Sequence, residues 1–112
     1  MPIGGYAAMQ PILTSAARTT SGQSSVFAVG EFSRLVFYID VTAASGTNES
    51  MIVKLQESPD QTNFWDLETV EITDDGDYRI STAEHTKYVR ISYVISGTSP
   101  SFTFSINMAG RH

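Results

Sequence analysis

The chain contains no cysteine, which excludes disulfide staples, thiolate metal sites and cysteine nucleophiles and leaves hydrophobic burial to hold the fold. It also lacks any cluster of basic residues. Arg18, Arg34, Lys54, Arg79, Lys87, Arg90 and Arg111 stand singly, in a chain with a formal net charge of -5. Binding a phosphate backbone takes several neighbouring cations, so no nucleic-acid partner is expected. Long apolar runs are missing as well. The longest, residues 35–39, suits the core of a strand, whereas a membrane-spanning helix needs about 20 apolar residues. No basic start leads into such a run, so neither a signal peptide nor a membrane partner is expected. Charged residues make up only 17% of the chain while Ser and Thr are abundant, a balance that suits the solvent faces of strands.

What the sequence does have is alternation. Val89, Ile91, Tyr93 and Ile95 alternate with Tyr88, Arg90, Ser92, Val94 and Ser96. Beyond Gly97-Thr98-Ser99-Pro100, the residues Phe102, Phe104, Ile106 and Met108 alternate with Ser101, Thr103, Ser105 and Asn107. Successive strand side chains point to opposite faces, so residues 87–108 read as two antiparallel strands joined by a tight loop. Leu35, Phe37, Ile39 and Val41 mark another strand over 32–42, followed by a polar loop at 44–48. Met51, Val53 and Leu55 mark the next, which stops at Ser58-Pro59-Asp60 because proline cannot donate to a ladder. Shorter strands are expected at 12–20, 25–29, 63–67, 70–73 and 78–81, with a turn at Asp74-Asp75-Gly76-Asp77. Eight or nine strands and no helical period predict an all-β, antiparallel two-sheet β-sandwich of jelly-roll or immunoglobulin-like type. It occupies residues 12–110, with residues 1–11 as an extended N-terminal arm.

Chemistry-bearing groups are sparse. His85 is the only internal histidine and sits in a polar loop without a Gly-x-Ser-x-Gly elbow around any serine. The acids at 66, 68, 71, 74, 75 and 77 lack the spacing of a calcium loop and read as a solvated edge. Neither an enzyme nor a metal or other cofactor is expected. Trp65, in an apolar context, reads as a core residue, the alternative being a sugar-stacking platform with Phe64, Tyr38, Tyr88 and Tyr93. Tyr38, Val36, Tyr88 and Val94 lie opposite their strands' main apolar sets, and with Arg90 they outline a partly apolar outer patch for a partner. The uncharged arm reads as a disordered end, as an arm lying on its own domain, or as one that docks on a neighbouring subunit through the apolar Ile3, Tyr6 and Met9.

Three stretches carry a resemblance: residues 53–67 (VKLQESPDQTNFWDL), Lys87-Tyr88-Val89-Arg90-Ile91, and the terminal strand over 102–109. Together they resemble the small jelly-roll capsid decoration (cement or staple) proteins of tailed bacteriophages. The 53–67 stretch is also similar to parts of discoidin-like carbohydrate-binding modules, which are longer. The resemblance to decoration proteins implies a non-enzymatic virion component on the outer capsid surface, made in the bacterial cytoplasm. Its partner would be the major capsid protein of the same phage, with self-association as a dimer or trimer on the shell. The alternatives are a carbohydrate-binding module and a tail or head–tail component.

Overall fold

The computed structural model describes residues 10–111. All regular structure is antiparallel β: β1 (Gln10–Arg18), β2 (Gly22–Gln23), β3 (Phe27–Ala28), β4 (Arg34–Ser58), β5 (Trp65–Ile72), β6 (Gly76–Thr82) and β7 (Tyr88–Arg111). Two of these strands organise the rest. A 25-residue strand such as β4 would run about 80 Å if straight, yet the longest dimension of the molecule is 43 Å. Both β4 and β7 therefore bend in the middle, and they bend together, paired from Arg34–Arg111 through to Ser58–Tyr88.

The bend turns one hydrogen-bonded network into two layers. In the first, residues 34–44 of β4 lie between β6 and residues 102–111 of β7, with β1 beyond β7. In the second, residues 50–58 of β4 lie between β5 and residues 88–96 of β7, with β2 and β3 at the far edge. Leu35, Phe37, Ile39, Val41, Phe102, Phe104, Ile106 and Met108 of the first layer share one core with Met51, Val53, Leu55, Val89, Ile91 and Tyr93 of the second. The Tyr93 ring meets Phe104 edge-on at 5.3 Å, joining the two halves of β7 across the interior.

This corrects the expected hairpin. Residues 88–96 and 102–108 do not pair with each other; both pair with β4, as in Tyr93 with Val53 and Phe104 with Val41. The Gly97–Pro100 breaker bends the strand without reversing it, and residues 44–48 do the same in β4 instead of forming a free loop. Glycine is required there: Gly46 and Gly97 have φ of 129° and 118°, and a Cβ on Gly97 would stand 2.8 Å from the Cα of Glu49. The turn before β6 is likewise not a hairpin, since β5 and β6 both pair with β4; it carries the chain from one layer to the other.

Edges are finished by side chains. The segment 21–24 runs along β7: the Ser24 amide donates to the Ile91 carbonyl at 2.8 Å, and the Ile91 amide donates to Ser24 Oγ at 2.9 Å. On β1, whose register shifts between Leu13 and Ala16, Arg18 donates to the carbonyls of Thr14, Ala16 and Phe104. Its guanidinium lies 4.5 Å from the Phe104 ring centre, so the irregular edge is satisfied and the core end is covered by one cation.

Candidate functional site

The outer face of the second layer follows from strand parity. Met51, Val53 and Leu55 point inward, so Ile52, Lys54 and Gln56 point out, as do Tyr88, Arg90, Ser92 and Val94 beside them. Gln56 sits between Arg90 and Asp66 in the sheet. Arg90 Nε donates to Gln56 Oε1 at 2.9 Å, and Gln56 Nε2 donates to Asp66 Oδ1 at 2.8 Å. Lys54 Nζ approaches the other Asp66 oxygen at 3.6 Å. The result is a polar ladder across three strands, with the Arg90 guanidinium 3.7 Å from the Phe64 ring centre. At one end stands half-buried Tyr88; at the other, Val94 is 41% exposed and paired with Ile52.

A carboxylate shapes the loop that delivers Phe64. Asp60 Oδ1 accepts the amides of Asn63 and Thr62, each at 2.9 Å, and the Ser58 hydroxyl at 3.0 Å. Asn63 Nδ2 donates to the second oxygen at 3.0 Å. These donors, the Asn63 amide first, hold the Asp60 carboxyl well below the usual carboxylate range. A carboxylate depressed on folding contributes stability above its unfolded pKa of about 3.9 and loses it as pH falls through its folded value. Asp60→Asn should therefore flatten the acid limb of the melting temperature below about pH 4. An unchanged acid limb would show that the loop does not depend on the charge.

Of the residues expected to bind a partner, Tyr88, Arg90 and Val94 share this face. Tyr38, 39% exposed, stands on the outer face of the first layer, opposite Arg79 and Asn107. The expected patch is thus divided between two faces that point apart. Val36 does not belong to it: it is 1% exposed, beside buried Ala109. Ile3, Tyr6 and Met9 lie outside the described residues. Trp65 corrects the expectation of a core residue. It opens β5, an edge strand with no neighbour beyond it among the described residues, and is 57% exposed. Phe64 and Asp66, weighed above for sugar stacking and for calcium, join Gln56 and Lys54 on this face instead; parity marks Lys54 and Gln56 as outward, but their partners come from other strands.

His85 lines an open cleft of about 600 Å³ with Ala28, Gly30, Glu31, Phe32, Thr86 and Lys87. Its Nδ1 lies 2.7 Å from the Thr86 carbonyl, and the Thr86 amide donates to Glu57 Oε1 at 2.7 Å. The acids of the 66–77 run are dispersed: Asp66 serves the ladder, Glu71 accepts from Ser50 at 2.9 Å, and Asp77 faces Asp40 across β4 and β6. The facing carboxylate raises the Asp40 pKa.

The fold has solved counterparts. The PBSX exported protein XepA is similar with a TM-score of 0.69 and 15% identity, over 93% of this chain and 37% of XepA. The chain therefore spans little more than a third of that protein. The CBM36-1 domain of a multidomain xylanase from the hindgut metagenome of Trinervitermes trinervoides is similar with a TM-score of 0.55 and 8% identity, over 94% of this chain and 98% of the domain. At these identities the likeness is one of fold. No curated protein matches the chain. Residues 28–112 match DUF6385, a domain of unknown function, and the chain belongs to that family.

Proposed function

We propose that this protein is a non-enzymatic virion component that decorates the outside of a tailed-phage capsid. It binds the major capsid protein through the outer face of its second layer. The observation that carries this reading is the grouping of Tyr88, Arg90 and Val94 on one exposed face, with Arg90 held by Gln56 and stacked on Phe64. Aromatic residues and a pre-oriented arginine are the groups that dominate protein interfaces. A fold shared with the phage-exported XepA supports the setting. A stable contact takes about 800 Å² from each partner, roughly an eighth of the 6064 Å² surface, which one sheet face can supply. Bridging adjacent shell subunits adds contacts that internal pressure must break, and self-association on the shell raises avidity through effective concentration.

Tyr88→Ala should leave folding intact and weaken binding to purified shells by at least about tenfold, the loss expected on truncating an interface anchor. Sedimentation of mixed protein and shells measures this, and an unchanged affinity removes the face from the contact. A second reading, a carbohydrate-binding module, is favoured by the 57% exposure of Trp65 on a fold shared with the CBM36-1 domain.

A further inference from the structure

We propose that the open edge of β6 pairs antiparallel with β6 of a second copy of this chain, about a two-fold axis at Tyr78. This deepens the self-association within the capsid reading by naming its surface, and it is tested without shells.

Several sheet edges are open. Among the described residues β1, β5 and β6, together with the two-residue β2 and β3, each pair with one strand and have no neighbour on the other side. An open edge presents unpaired amides and carbonyls in the geometry that another strand needs. Most of these edges are unsuited to a second copy. On β1, Pro11 lacks an amide and the register shifts twice. β5 carries Asp66, Glu68 and Glu71 with no cation, so a copy of itself would bring like charges together. β2 and β3 are too short to hold a register.

β6 differs in being self-complementary. Its seven residues carry one acid and one base, Asp77 and Arg79, two positions apart and therefore on the same face. Both are exposed, and neither they nor Asp40 form an ion pair among the described residues. Within the chain Asp77 stands opposite Asp40, a like-charge pair, and Arg79 stands opposite uncharged Tyr38. Charges directly opposite across strands are favourable when unlike and unfavourable when alike. A two-fold axis at Tyr78 puts Asp77 of each copy opposite Arg79 of the other, so one register forms both charge pairs. It also brings a cation to the side of the Asp40–Asp77 pair. On the inner side half-buried Tyr78 meets its copy at the axis, and Ile80 meets Gly76, which has no side chain to obstruct it.

Such a pair is built for two-point attachment. Directly opposed residues of antiparallel strands lie on the same face, so the two first layers join into one sheet with both second layers on the same side of it. The Tyr88, Arg90 and Val94 faces of the two copies then point the same way, and binding by one raises the effective concentration of the other at the same surface.

Sedimentation equilibrium of the full chain, taken up to millimolar concentration, should show monomer and dimer and no larger species, because an isologous pairing uses up the edge. Asp77→Arg and Arg79→Asp each place like charges in both pairs and should each weaken self-association by at least about tenfold. Mixed in equal amounts, the two variants set opposite charges against each other in both pairs and should form a heterodimer. The double exchange within one chain should dimerise alone. Thermal melting of each variant checks that the sandwich is intact. A wild-type chain that stays monomeric throughout overturns the proposal. So does association that ignores the charge reversals, or that both reversals abolish without recovery on mixing. Shell binding enters none of these measurements, and Tyr88→Ala should dimerise as wild type does, so the dimer and the capsid reading fail separately.

Discussion

Replacing Phe104 by alanine is expected to cost about 3–5 kcal/mol, the loss that follows from truncating a fully buried large aromatic. Phe104 is fully buried, and its ring meets Tyr93 from the other half of the same strand. The Arg18 guanidinium covers it from the end of β1 and donates to its carbonyl at 3.0 Å. Removing the ring forfeits the transfer energy of a large aromatic and opens a cavity where the two layers meet. It also leaves Arg18 with one aromatic partner fewer. Chemical denaturation measures the loss from the midpoint at unchanged slope, and a loss below about 1 kcal/mol would mean that Phe104 does not join the layers.

The second large effect is expected at the bend. Gly97→Ala should destabilise by about 2–4 kcal/mol, combining a backbone conformation that side chains rarely adopt with a steric clash. Its φ is 118°, and the added methyl would stand 2.8 Å from the Cα of Glu49 and 2.9 Å from the Asn48 carbonyl oxygen. Both are main-chain atoms of the paired strand, so no rotamer change relieves the contact. Because β4 and β7 bend together, spreading them here should loosen both layers. Thermal unfolding of the variant measures the cost; a melting temperature equal to the wild type's would show that the corner accommodates a side chain.

The same corner shows where sequence reading succeeds and where it stops. Parity is local, so the inward sets 35–41, 51–55, 89–93 and 102–108 could be read directly, and the odd-numbered or even-numbered apolar residues of each are buried. Pairing is not local. A Gly-Thr-Ser-Pro breaker can reverse a strand or bend it, and the choice depends on whether another strand of matching length and matching breaker lies alongside. Residues 44–48 of β4 supply that match, which no pattern within 87–108 could reveal.

The candidate site divides in the same way. Outward placement of Tyr88, Arg90 and Val94 follows from alternation within one strand. Tyr38 follows the same rule within its own strand, but the rule does not say which layer the strand joins. The stack of Arg90 on Phe64 unites β7 with the loop before β5, and the His85 cleft unites residues 28–32 with 85–87. Trp65 looked like core because Phe64 and Leu67 flank it. Its exposure is a property of edge position, set by the absence of a strand beyond β5 among the described residues.

The proposed decoration of a tailed-phage capsid is tested most directly by electron cryomicroscopy of shells, assembled without this protein, mixed with the purified chain. The account predicts added density at symmetry-related sites on the outer shell, with Tyr88, Arg90 and Val94 turned toward the major capsid protein. A shell that gains no density, or density that docks by another face while these residues point to solvent, would contradict it.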